Sequence, residues 1–98
     1  MRMMMRVTIP VEAGNAAIKT GRLPQVMREA IARLKPEAVY FAADKGLRTA
    51  YFFVNVTDQS EMPSLAEPFF QEFNAALELM PVMNADDLKK GLSQIAPK

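Results

Sequence analysis

The sequence predicts an α+β domain, one four-stranded sheet with helices packed on a single face. Three observations carry that expectation. Segments with a two-residue apolar period alternate with segments of three-to-four-residue period, the signatures of strands and of amphipathic helices. The 98 residues, half of them hydrophobic, suffice for one domain (1–98) with its own core. Residues that stop or turn the chain fall at the borders between periods: Pro10, Gly21, Pro36, Asp44-Lys45-Gly46, Asn74 and Asn84.

The first strand sets Met3, Met5, Val7 and Ile9 on one parity and Met4, Arg6 and Thr8 on the other. Pro10 ends its pairing or marks a bulge. Gly14 then supplies a turn, Asn15 caps a short helical piece, and Gly21 ends it. A longer helix begins near Leu23, with Pro24 in its first turn. Its apolar stripe is Leu23, Val26, Met27, Ala30, Ile31 and Leu34, and Pro36 stops it.

Ala38 to Ala43 reads as the second strand, joined by a tight turn at Asp44-Lys45-Gly46 to the third, Arg48 to Val56. The third strand is apolar on both faces and should be central. Thr57 to Glu61 is a loop in which Asp58 with Glu61, or Ser60 alone, caps the next helix; Pro63 favours the later start. That helix carries Met62, Leu65, Ala66, Phe69, Phe70 and Phe73 toward the core. Pro68 within it predicts a kink or a lost backbone bond, and Asn74 ends it. Ala75 to Met83 is the fourth strand. Asn84 caps a last helix with Asp86 and Asp87 in its first turn, an apolar edge of Leu88, Leu92 and Ile95, and Met83 packed on Leu88 as a staple.

The resulting order, β-α-β-β-α-β plus a C-terminal helix, is the ferredoxin-like split pattern. Right-handed crossovers predict a mixed, largely antiparallel sheet of order 4-1-3-2, with strands one and three parallel at its centre and both main helices on one face. The other face would show Met4, Arg6, Thr8, Thr49, Tyr51, Phe53, Asn55, Ala76, Glu78, Met80 and Val82, with Tyr40 or Phe41. A surface that apolar predicts an interface or a ligand groove.

Composition narrows the chemistry. With no cysteine and no histidine, thiolate nucleophiles, disulfides, iron–sulfur clusters, imidazole metal ligands and the usual neutral-pH base are excluded. No acidic cluster has ligand spacing, so no metal or other cofactor is expected. A net charge of +1 without a basic run argues against nucleic acid. No apolar run approaches the roughly 20 residues that span a bilayer, and Arg6 interrupts the methionine-rich start, so neither a membrane segment nor a signal peptide is expected and the protein is read as cytoplasmic.

Arg6 and Glu78, on adjacent strands, have two readings. As a structural ion pair inside a dimer interface each would satisfy the other. In a ligand cavity, Arg6 would hold a carboxylate or enolate and Glu78 would act as a base, with Tyr51 beside them. Tyr40, Tyr51 and Asn55 complete the candidate ligand-binding set, each with an ordinary packing or capping alternative. Glu12, Asn15 and Lys19 gather at a helix N-terminus, where the cap reading outweighs anion binding. Phe69, Phe70 and Phe73 read as core. No glycine-rich phosphate loop is present.

The segments Ile9-Pro10-Val11-Glu12-Ala13-Gly14-Asn15-Ala16-Ala17, Lys35-Pro36-Glu37-Ala38-Val39-Tyr40-Phe41, Ala66-Glu67-Pro68-Phe69-Phe70, and Asn74-Ala75-Ala76 through Pro81-Val82-Met83 resemble a family of small bacterial proteins of unassigned function, over nearly the whole chain. In shape that family resembles the dimeric α/β-barrel superfamily, which includes cofactor-independent monooxygenases, muconolactone-isomerase-like enzymes and haem-degrading enzymes. The resemblance implies a homodimer whose open sheet faces enclose a barrel-like space. It carries no catalytic residue over, and the absence of histidine departs from the haem-binding members. The function expected is a homodimeric small-molecule-binding or interaction protein whose partners are a second copy of itself and a small apolar or aromatic acid. The alternative is a cofactor-independent isomerase or monooxygenase acting on a small aromatic or unsaturated acid, and the third reading is a purely structural dimer.

Overall fold

The computed structural model describes residues 1–95 and Pro97. Among these residues it is an α+β structure of four antiparallel strands and four α-helices, compatible with a ferredoxin-like fold. The strands are β1 (Arg2–Ile9), β2 (Ala38–Asp44), β3 (Leu47–Asn55) and β4 (Ala76–Pro81), and the helices α1 (Val11–Lys19), α2 (Arg22–Leu34), α3 (Met62–Phe73) and α4 (Ala85–Ser93). In space the sheet runs β2-β3-β1-β4.

Every pairing in it is antiparallel, β1 with β3 included, which corrects the expectation of a parallel central pair. The reason lies in the gap left by the first crossover. It carries β2 to a position parallel to β1 but one strand away, and the β2–β3 hairpin then folds β3 back into the vacancy, antiparallel to both neighbours. The hairpin is tight because Lys45 (φ 54°) and Gly46 (φ 78°) both take the left-handed conformation that matches strand twist.

The second correction concerns Gly14 and Asn15. They form neither a turn nor a cap. The helix starts directly after Pro10, and the Gly14 amide already donates to the Pro10 carbonyl at 2.9 Å. Gly14 is buried in α1 because the Arg48 side chain from β3 lies across it; a β-carbon there would fall 2.5 Å from Arg48 Nη1. Asn15 Oδ1 accepts from Arg48 Nη2 at 3.0 Å.

The core lies between the sheet and α1–α3. Met5, Val7, Phe52, Phe69 and Phe73 are its largest wholly buried side chains, with Phe52 and Phe69 packed at 5.6 Å between ring centres. Phe70, expected in the core, is instead exposed, since one helical step carries it about 100° from Phe69. A 3-10 turn at Gln59–Glu61 precedes α3 and is capped reciprocally by Asp58 and Glu61. The chain leaves α3 through Asn74 in the left-handed conformation. Asn84 and Asp87 form the reciprocal cap of α4, yet α4 buries none of its residues. Met83 and Leu88 both stay exposed, so the expected staple is not built, and β4 stops at Pro81 rather than Met83. No helix among the described residues is long and apolar enough to cross a membrane.

Candidate functional site

Strand register builds the site on the sheet face opposite α1–α3. Tyr40 pairs with Tyr51, Tyr51 with Arg6, and Arg6 with Glu78, so the four side chains form one row across all four strands. The sequence-predicted residues Arg6, Tyr40, Tyr51 and Glu78 are therefore neighbours. A row of Ala38, Phe53, Met4 and Met80 flanks them on one side, and one of Ala42, Thr49, Thr8 and Ala76 on the other. No helix covers the row; Tyr40 is 64% exposed and stands edge-on to Phe53, with ring centres 6.4 Å apart.

Arg6 is held from two sides. Nη2 donates to Glu78 Oε2, and Nη1 reaches Asp44 Oδ2 at 3.4 Å. The same Asp44 oxygen accepts from the Tyr51 hydroxyl at 2.6 Å. The bond to Glu78, and then its charge, raise the Arg6 pKa above its ordinary value. Tyr51 is raised too, first by the hydrogen bond to Asp44 and then by desolvation, so the phenol keeps its proton.

Asp44, which by its sequence belongs to the turn, is the further member of the site. Tyr40, Ala42 and Asp44 share a parity, and the last residue of a hairpin strand can reach back over the sheet. Asn55 does not join the row. Its Oδ1 accepts from the Met1 amino nitrogen at 2.9 Å, and it lines a separate polar cleft of about 350 Å³ with Arg2, Lys35, Glu37, Val54 and Asp87. There Arg2 bonds Glu37 at 2.5 Å and Asp87 at 2.8 Å, which ties the start of α4 to the beginning of the inner strand β1. Glu12 lies in the first turn of α1, where its charge opposes anion binding, and Lys19 lies at the far end of the same helix.

The hollow beside Arg6, bounded by Thr8, Asp44, Lys45, Leu47 and Glu78, measures only about 100 Å³. That is below the ~300 Å³ usual for a small-molecule site. The one guanidinium of the row already faces two carboxylates, so a substrate carboxylate would have to displace one of them. Chemically the face offers one cation held between two carboxylates, a phenol at its rim, and apolar flanks. A comparison with protein-family models finds no match, and a comparison with curated proteins likewise finds none.

Proposed function

We propose that this protein is a homodimeric small-molecule-binding or interaction protein that associates through its open sheet face, in the manner of a dimeric α/β barrel of ferredoxin-like subunits. The observation that carries the reading is the Tyr40–Tyr51–Arg6–Glu78 row with Asp44 behind it. Its one cation, Arg6, is already paired with Glu78, so a second copy can cover it without stranding it in an apolar contact, and the second carboxylate, Asp44, keeps Arg6 and the Tyr51 hydroxyl as partners. The rows beside it bring Phe53, Met4 and Met80 to the same surface, apolar area that covering would remove from water. Four strands about 4.8 Å apart and about 25 Å long give a planar face of roughly 500 Å². Two such faces would enclose a ligand space that the open face of one subunit lacks, where the hollow beside Arg6 measures only about 100 Å³.

The catalytic alternative is weaker on the same evidence. A site for a small acid needs a cation free to receive it, and Arg6 is engaged by Glu78 and Asp44.

Light scattering coupled to size exclusion tests the assembly. A dimer mass is expected for the natural chain, and a monomer mass for Phe53→Asp, which places a new carboxylate in the middle of the face. A natural chain that runs as a monomer at tens of micromolar, where interfaces of this size remain associated, would refute the proposal.

A further inference from the structure

A broad apolar opening lies on the other side of the sheet. Where α1 meets α2, the two helices leave the edge strand β2 uncovered, and a cleft of about 600 Å³ remains between them. Met27 and Ala50, both buried, form its floor. Ile18 (51% exposed), on α1, and Phe41 (58% exposed), on the core parity of β2, stand on its two rims, apolar surface that a ligand would remove from water.

One charged residue lines this cleft, Arg48. It stands opposite Ile9 and Ala43, on the helix side of the sheet, where the sequence pattern calls for an apolar residue. Its orientation is built in. The side chain lies over Gly14, the position in α1 that lacks the β-carbon it would strike, and Asn15 Oδ1 holds Nη2 at 3.0 Å. Among the described residues Arg48 is in no ion pair, whereas Arg2, Arg6 and Arg22 each face a carboxylate. Asn15 is neutral, so the positive charge is oriented but not cancelled.

We infer that this cleft binds an amphiphilic monocarboxylate, its carboxylate on Arg48 and its apolar body along Ile18, Leu23, Met27 and Phe41. The volume falls within the range of small-molecule pockets. A planar guanidinium with free N–H groups is the side chain best matched to a carboxylate. The site is contained in one chain, so it stands whether or not the open faces dimerise, with one ligand per chain in either state.

Decanoate and uncharged 1-decanol are the probes, followed by amide NMR titration of the full chain. Decanoate should shift the signals of Ile18, Leu23, Phe41 and Ala50, with 1-decanol binding the same place more weakly. Arg48→Gln should weaken decanoate at least about tenfold, the worth of a charge-assisted hydrogen bond, and leave 1-decanol unchanged. Ala43→Trp should fill the cleft and abolish both. Ile18→Glu, at an exposed rim where folding is not in question, should selectively reject decanoate. The inference is overturned if decanoate leaves these signals unmoved, if it binds Arg48→Gln as well as the natural chain, or if Ala43→Trp and Ile18→Glu bind it unimpaired. It is overturned equally if the cleft proves to be filled by the apolar edge of α4 from a second copy, seen as contacts from Leu88 to Phe41 between chains.

Discussion

Arg33 Nη1 donates to the carbonyl oxygen of Ser64 at 2.8 Å. That carbonyl is the one Pro68 cannot serve, because proline has no N–H to return to the residue four positions before it. The last turn of α2 thus repairs the hydrogen bond that α3 loses, and α3 runs on through Pro68. At the other end of the same helix pair, Arg22 bonds Glu72. Two guanidiniums clip the antiparallel helices at both ends.

Arg33→Ala should therefore cost about 1 kcal/mol in the natural chain, the net worth of one such bond. In a Pro68→Ala background, where the restored backbone amide can bond the Ser64 carbonyl itself, the same change should cost almost nothing. Urea denaturation of the four proteins gives the comparison. Equal losses in the two backgrounds would mean that Arg33 acts elsewhere.

Gly14 and Arg48 are coupled in a similar way. Glycine inside a helix ordinarily costs about 0.5–1 kcal/mol relative to alanine. Here the new β-carbon would meet Arg48 Nη1 at 2.5 Å and Cδ at 3.1 Å, so the arginine must leave its bond to Asn15. Gly14→Ala should yield little or no stabilisation in the natural chain and its full gain in Arg48→Ala. Thermal unfolding of the two pairs measures the difference, and identical gains would show that the contact carries no strain.

These cases show what the sequence discloses and what it does not. Period and stop residues are enough to place the strands, the turn at Lys45-Gly46, the left-handed stop at Asn74 and the cap at Asn84, because each is set by local backbone chemistry. Strand parity likewise brings Arg6, Tyr51 and Glu78 together before any coordinates. What stays hidden depends on partners distant in the chain. Gly14 reads as a turn until Arg48, from another strand, is laid over it. Asp44 reads as a turn residue until its carboxylate is seen to bridge Tyr51 and Arg6. The direction of the central strand pair is a different case, since the crossover and the tight hairpin, both legible in the sequence, together already make β3 antiparallel to β1.

Acid should weaken the cap of the 3-10 turn that leads into α3. Glu61 Oε2 accepts from the Asp58 amide at 2.8 Å, the Thr57 amide at 2.8 Å and the Thr57 hydroxyl at 2.9 Å, and these bonds hold its pKa below the ordinary carboxylate value. Glu72 is lowered by Arg22, and Asp58 by the Ser60 hydroxyl. A carboxylate whose folded pKa lies below its unfolded one stabilises the fold above the unfolded value, near 4, and loses that contribution as pH falls through the folded value. The melting temperature should be flat from pH 7 to about 5 and fall below that. Glu61→Gln should melt lower at pH 7 and show a shallower acid decline. An acid profile unchanged by the substitution would remove the cap from the account.

The Arg6–Glu78 pair reports whether the open face is covered. In a single chain Glu78 is 57% exposed, so water and salt screen the pair and its coupling should be small and salt-sensitive. Under a second copy the same two charges would be desolvated together, and removing either alone would strand the other. Arg6→Ala and Glu78→Ala should each weaken association, and the double variant should recover part of the loss, because it leaves no uncompensated charge from this pair. Arg6→Ala should be the more damaging single change, since it also strips Asp44 of its cation while Tyr51 continues to donate to it. Dissociation constants from sedimentation equilibrium at low and high salt complete the cycle. Were all three variants to associate as the natural chain does, the row would lie outside the interface, and the paired charges would be an ordinary feature of a solvated sheet.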